Sequence, residues 1–409
     1  MTDPRLFAPF RGERYGDTSA LARRLAPPYD VVTPEQRASL AGQDPYNIVH
    51  LDMPSIAAGD PYREAARLLT EWRGRGLIIR DGGATAYVLQ TSGRFPDGTQ
   101  RQRTGVFLAV AAEPFSRGRV RPHERTHASP KEDRRRLTHA TGCNLSPVFL
   151  LAPDSSGALQ GALHDEASRE PWAQCSALGS EHAVWIVGGE RAQRIAEAAG
   201  AEPVYVADGH HRFETAVMLR DEVPPAWREG ASRTLSHVVS FRDPGLAILP
   251  THRLISGPPQ QPAAFLEAAS TFFAEVPEGA DWTVAVAFAD GREIRLGLRP
   301  GADLSRALDL PVHPAVRGLA VTLADGVAVG VVAASLLGRV PELRYTADAG
   351  EAREAARQGS CAFALLLPPT RLEDVRRVAD AGQIMPPKST YFAPKVPTGI
   401  VLRPLDAPI

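Results

Sequence analysis

Pro203-Val204-Tyr205-Val206-Ala207-Asp208-Gly209-His210-His211-Arg212-Phe213-Glu214-Thr215-Ala216 is the stretch on which the reading of this chain turns. Val204 to Ala207 is apolar and bounded by Pro203, which predicts a short buried strand. Asp208 is expected to cap a helix, with Glu214 in its first turns and Ala216, Val217 and Leu219 on its apolar face. Between strand and helix lie a carboxylate, a glycine, two imidazoles and a guanidinium. A helix N-terminus offers unpaired N–H groups and a positive dipole end, which favours an anion. Gly209 lets a ligand approach the backbone, and Arg212 has the fork geometry for two phosphate oxygens. Gly209, His210, His211 and Arg212 are therefore expected to bind phosphate, with Asp208 placed for proton chemistry. A plain capped helix and a metal site are the other readings. Adjacent histidines diverge from a helix start, and no further His/Asp/Glu set stands at ligand spacing.

The rest of the chain sets the context. Its 409 residues allow two or three domains. Apolar and charged fractions of 44% and 23% are ordinary for a globular protein, and a net charge of −1 gives no general attraction to DNA or an anionic membrane. The first residues lack a cationic start followed by an apolar run, so no signal peptide is expected and a cytoplasmic location is. The apolar stretch from Leu319 to Leu337 is broken by Asp325 and carries Gly326 and Gly330; core is expected rather than a membrane span. Cys143, Cys175 and Cys361 are far apart, which argues against a disulfide framework or a cysteine-rich zinc site.

One bias is more informative. Of 46 Lys and Arg residues only Lys131, Lys388 and Lys395 are lysines, and the asparagines are Asn47 and Asn144. A GC-rich genome gives such a skew, and a residue type that the background avoids should persist where its geometry matters. All five fall in segments that attract attention on other grounds; coincidence is the competing account.

Along the chain, Thr33 is expected to cap a helix opening at Pro34. Pro45 to Asp52 reads as a short strand, and residues 61–75 as a helix with Ala65, Leu68, Leu69 and Trp72 inward. A hairpin joins Thr85–Gln90 to Arg101–Ala112 through Pro96-Asp97-Gly98. Ser129 is expected to cap a helix from Pro130 to near Gly142, followed by strands at Ser146–Leu151 and His182–Val187 and a helix at Arg191–Ala199. Strands at Leu235–Phe241 and Leu246–Leu249 lead to Pro250-Thr251-His252-Arg253. Pro258, Pro259 and Pro262 mark a linker. The expected organisation is α+β: a motif-bearing domain over 1–257, a second α/β region over 263–380 and a tail over 383–404 that returns to the first domain.

Three further segments carry candidate chemistry. The loop Arg121-Pro122-His123-Glu124-Arg125-Thr126-His127 is rich in cations, with Lys131 close behind. Those cations are expected to keep Glu124 ionised, fit to orient a hydroxyl or hold Mg2+; a solvated basic loop, or a metal pair His123/His127, are the alternatives. Lys388-Ser389-Thr390 has phosphate-binding chemistry without the glycines of a P-loop, in a proline-studded tail that cannot be a helix or a central strand. His252 and Arg253 follow a strand, where α/β sites often lie; a satisfied histidine and a surface arginine are equally plain readings.

Asp208-Gly209-His210-His211-Arg212-Phe213-Glu214-Thr215-Ala216 resembles the signature of the DUF1015 family. So do Pro27-Pro28-Tyr29-Asp30-Val31, Pro45-Tyr46-Asn47, His123-Glu124-Arg125-Thr126, Pro130 to Arg134, Asn144-Leu145-Ser146-Pro147, Leu249 to Arg253 and Met385 to Phe392. The Asp-Gly-His-His-Arg turn is similar to the phosphate-binding turn of the ParB/sulfiredoxin superfamily, which includes CTP-dependent partition proteins, ATP-using sulfiredoxins and kinases of free L-serine. The resemblance implies a ParB/sulfiredoxin-like nucleotide-binding core. By analogy with the serine kinases, Asp208 matches the aspartate taken as base. Glu124 is the candidate second carboxylate, with Glu13 and Glu35 competing. Sulfiredoxin needs a cysteine in the turn, where His210 and His211 stand here.

The expected function is a small-molecule kinase using ATP or ADP with Mg2+ on free L-serine. Lys131, Arg125, Lys388, Ser389 and Thr390 would neutralise phosphate, and Asn47, Asn144, His252 and Arg253 would bind the acceptor or sugar. No dedicated protein metal cage, nucleic acid or membrane partner is expected. A ParB-like nucleotide switch is the second reading and a metal-dependent hydrolase using His210, His211 and Glu124 the third.

Overall fold

The computed structural model describes residues 5–406 except 56–58, 96–97, 127, 278, 306 and 309–311. The hairpin turn expected at Pro96-Asp97, His127 of the alternative metal pair and the side-chain cap expected at Ser129 lie outside the described positions.

Two mixed α/β units follow one another. The first is built on a nine-stranded sheet whose order runs Val120–Arg121, Val204–Asp208, Val148–Ala152, Arg233–Ser240, Gln100–Ala111, Thr85–Arg94, Ser180–Gly188 and Ala173–Ala177, with Phe7–Ala8 also paired to Gln100–Ala111. The site strand Val204–Asp208 is parallel to Val120–Arg121 and antiparallel to Val148–Ala152. Alternation along the strand sends Val204 and Val206 to a core with the helices Ala158–Ala167 and Gly189–Ala199. Tyr205 and Ala207 face a second core that includes Leu69 and Trp72 of the helix Pro61–Gly74 and Phe392, Val396 and Ile400 of the tail.

The strand carries a bulge at its end. Tyr205 opposes Leu151 and Val206 opposes Leu150, but Asp208 rather than Ala207 opposes Phe149. Strict alternation would put Asp208 on the helix-covered face. The extra residue puts it beside Phe149 and Leu151, on the face where the tail packs. One inserted residue thereby decides what Asp208 meets.

The second unit is an antiparallel six-stranded sheet, ordered Phe273–Glu275, Glu293–Leu298, Val284–Ala287, Phe363–Leu366, His252–Ile255 and Leu343–Thr346. His252–Ile255 is bonded to Phe363–Leu366, so the chain enters the second sheet several residues ahead of the expected boundary at 257. The segment Ala320–Leu337 is helical with wide π-type turns over Ala324–Ala333. It is long and apolar enough to cross a membrane by length and composition, but Val321, Leu323, Val327, Ala328 and Val332 are buried in the second core. The tail recrosses to the first unit. Tyr391–Ala393 pairs with Ala247–Leu249, Thr398 with Ala26, and Arg403–Pro404 with Cys143–Asn144.

Local expectations hold where side chain and backbone agree. Thr33 and Gln36 form a reciprocal capping box on Pro34–Gln43, and the hairpin Thr85–Arg94/Gln100–Ala111 forms as expected. The strand expected over Pro45 to Asp52 does not form. Asp44 accepts the Tyr46 N–H and Asn47 the Val49 N–H, and these Asx turns start a short helix, Val49–Asp52. The three cysteines are free.

Candidate active site

The helix after the site strand begins at His210, with Gly209 rather than Asp208 at the cap position. Gly209 has φ +89, and a Cβ there would lie 2.9 Å from Nε of Arg212, so only glycine fits the turn without strain. Asp208 remains the last strand residue, and its carboxylate serves another purpose than capping. Its Oδ2 accepts a hydrogen bond from Lys395 Nζ at 2.8 Å, and its Oδ1 lies 3.6 Å from Arg212. Asp30 of the Pro-Pro-Tyr-Asp loop comes within 3.9 Å of the same guanidinium. Two carboxylates and two cations thus alternate at the turn.

This cluster borders a cleft of about 530 Å³ between the two units. Asp30, Glu124, Asp208 and the helix start at His210 and His211 form one wall; Thr251 and Tyr345 of the second unit form another; Lys388, Thr390, Tyr391 and Lys395 of the tail close it. A second cavity of about 440 Å³ adjoins it, and Val31, Tyr391 and Lys395 line both.

The carboxyls are electrostatically sorted. Burial would raise the Asp208 carboxyl, but Lys395 and Arg212 outweigh it and hold the group well below the usual carboxylate range. Asp30, its side chain still 38% exposed, is pushed up, first by partial desolvation and then by the Asp208 charge, against Arg212 and Lys395. Glu124 is also pushed up by burial, against the Lys388 N–H and the Lys388 and Lys395 charges. The nearby cations therefore do not set the direction of the Glu124 shift: partial burial of a side chain still 36% exposed outweighs them. Environments that drive carboxyl pKa values apart are how one site holds both a permanent anion and a proton acceptor.

The histidines have defined roles. His210 is buried and neutral, its pKa driven well below normal by burial and then by His123. Its Nε2 accepts the His123 backbone N–H at 3.3 Å, so the proton is on Nδ1, which lies 4.0 Å from Glu124 Oε2. His123 in turn shares a hydrogen bond with the Thr390 hydroxyl at 3.0 Å. His211, Arg125 and Lys388 face the cleft.

Other expected ligands are elsewhere. Arg212 is buried, donates to the Pro147 carbonyl and stands 3.6 and 3.9 Å from Asp208 and Asp30; it braces the turn from beneath and does not line the cleft. Lys131 lies along the site helix, bonded to Glu214 at 2.9 Å, and does not line the cleft. Asn47 is fully buried, donating to the Arg23 and Leu25 carbonyls. Asn144 accepts from the Leu235 N–H and from Arg403. Ser389 is buried and donates to the Pro386 carbonyl. His252 accepts the Leu367 N–H, and Arg253 is fully buried against Asp325. The rare residues thus divide: Lys388 and Lys395 reach the cleft, whereas Asn47, Asn144 and Lys131 hold backbone or helices together. Sequence reasoning overlooked Asp30, Lys395, Tyr345 and Tyr391 as cleft residues. Lysine scarcity singled out Lys395, and Asp30 stands in a quoted block, but neither signal assigned a role. Glu13, a competitor for second carboxylate, is buried between Arg73 and Arg80. Among the described residues no group of three His, Cys, Asp or Glu side chains converges with metal-ligand geometry.

A family model described as "Protein of unknown function (DUF1015)" matches residues 7–322, more than half of the chain. The chain belongs to the DUF1015 family. In this DUF1015 chain the matched segment includes Asp30, Glu124 and the Asp208 turn but ends before Tyr345, Lys388 and Lys395. Among solved structures it is similar to a mutant free serine kinase in complex with ADP, at 13% identity and TM-score 0.37, covering 72% of this chain and 92% of that one. A conserved hypothetical protein from Pyrococcus furiosus matches at 14% identity and TM-score 0.36, covering 74% and 96%. SbnI from Staphylococcus aureus with a C-terminal truncation matches at 9% and 0.37, covering 72% and 85%. No curated protein matches the chain.

Proposed function

We propose that the cleft is the active site of a small-molecule phosphotransferase with a ParB/sulfiredoxin-like first unit, moving a phosphoryl group from ATP or ADP to the hydroxyl of free L-serine. The observation that carries this reading is the Lys395–Asp208 pair: Lys395 lines both adjoining cavities, and Asp208 lines the first directly before a helix N-terminus. Phosphoryl transfer requires two substrates held in line and cations at the point of transfer. The donor phosphates take the N–H groups at the start of the helix, with Arg125 and Lys388 beside them. The acceptor occupies the second cavity, and Lys395 stands between the two.

Asp208, expected as the base, is better suited to fixing Lys395: a carboxylate held far below its ordinary pKa takes a proton poorly. Glu124, raised by burial and faced by the Nδ1–H of His210, is the better acceptor for the serine proton. The serine oxygen attacks the terminal phosphorus, the bridging P–O bond breaks, and AMP or ADP leaves. The site fits Mg2+ as the nucleotide's counter-ion: Asp30 supplies a cleft-facing hard oxygen donor of the type Mg2+ takes beside phosphates. Bound Mg2+ would neutralise phosphate charge, and Asp30 is the residue to hold it.

The test is incubation of purified protein with labelled ATP, ADP or CTP and each free amino acid, followed by product identification. Labelled O-phosphoserine is the expected result. Labelling of another alcohol would remove serine and leave the transferase. CTP hydrolysis without any labelled acceptor would replace the transferase with a nucleotide switch.

A further inference from the structure

Tyr345 stands apart from the other aromatic residues of the cleft. It is 41% exposed, and among the described residues it is the aromatic residue left most open. Tyr29 has the Arg134 guanidinium 4.0 Å from its ring centroid, and Tyr391 has Lys395 at 4.6 Å. Tyr345 lies on Leu343–Thr346, the edge strand of the second sheet, directly opposite Arg253. The Arg253 guanidinium sits 5.5 Å from its centroid and is itself held by partners. It is fully buried, donates to Asp325 at 2.9 and 3.1 Å, and donates again to the Thr251 carbonyl. Asp325 belongs to the buried helical segment with wide turns. Arg253, expected from sequence to touch substrate, instead backs an aromatic ring whose remaining surface opens on the cleft, across from the helix start at His210.

We infer that Tyr345 is the stacking platform for the donor's nucleobase and that the Asp325–Arg253 pair holds it in place. The inference rests on the nucleotide reading above and adds to it the residue that recognises the base. A ring fixed on an edge strand gives stacking at little loss of side-chain freedom, and every base has a π-face to offer. The phosphates are held at the other side of the cleft, so base and phosphate recognition are divided between the two units.

Titration calorimetry with ADP and with inorganic pyrophosphate on wild type, Tyr345→Ala and Tyr345→Phe tests this. Tyr345→Ala is expected to weaken ADP about tenfold or more while pyrophosphate changes by less than about twofold, and Tyr345→Phe to stay near wild type. Should Tyr345→Ala fail to fold, Tyr345→Leu keeps an apolar edge residue and predicts the same divergence. Unchanged ADP affinity in the truncated variants overturns the inference, as does an equal loss for pyrophosphate. Wild-type protein that binds neither ADP nor pyrophosphate overturns the nucleotide reading and this inference with it.

Discussion

Replacing Lys395 with methionine keeps most of the side-chain volume and removes the charge that faces Asp208. The ion pair is 2.8 Å long, and its side chains are 17% and 16% exposed. At an effective dielectric constant of about 20, unit charges at that distance attract by about 6 kcal/mol, most of it offset by desolvation. Removing one member of a buried pair costs about 3–5 kcal/mol. Arg212, 3.6 Å from the other carboxylate oxygen, remains and compensates part of the loss. The expected loss is therefore at the lower end, about 3 kcal/mol at pH 7. Its pH dependence follows from the depressed Asp208 pKa. A carboxyl whose folded pKa lies below its unfolded one contributes stability above the unfolded value, and that contribution disappears as pH falls through the folded value. The gap between wild type and Lys395→Met should be complete at neutral pH and narrow below about pH 4. Urea unfolding of wild type, Lys395→Met, Asp208→Asn and the double variant measures this, with an expected coupling of about 2 kcal/mol. Coupling below about 0.5 kcal/mol, or a gap that does not change with pH, would refute the argument that these two side chains compensate each other's burial.

Three other outcomes follow from the geometry. Glu124→Gln should lower kcat by about 10²–10⁴-fold. It should also abolish the acidic limb of the pH profile, which in wild type is shifted upward because burial raises Glu124; an unchanged limb assigns the base elsewhere. Gly209→Ala forces a Cβ onto Arg212 at positive φ and should destabilise by about 1–3 kcal/mol, read by thermal melting. Asn47→Ala leaves two carbonyls and an N–H without their side-chain partner and should cost about 2–3 kcal/mol while leaving KM unchanged, which separates a structural asparagine from a substrate ligand.

The sequence by itself determined what depends on neighbours in the chain. Proline and a following apolar run defined the site strand, Thr33 with Pro34 defined a capped helix, and scattered prolines kept the tail out of any helix. The same local reading found Asp208, Glu124, His210, His211 and Lys388, and all five line the cleft. It placed Arg212, Asn47 and Asn144 in the site without their partners, because residue type states what a group can bond to, not whether the fold has already supplied a partner. Pro147, Arg23, Leu25 and Leu235 are those partners, and they stand 65, 24, 22 and 91 positions away. Only the tertiary structure decided the ionisation of the site. The bulge turns Asp208 towards the tail, the returning tail sets Lys395 against it from 187 positions away, and partial burial raises Glu124 and Asp30. Charge and desolvation act through space, so a carboxylate's role in this cleft is fixed by residues that no local pattern brings together.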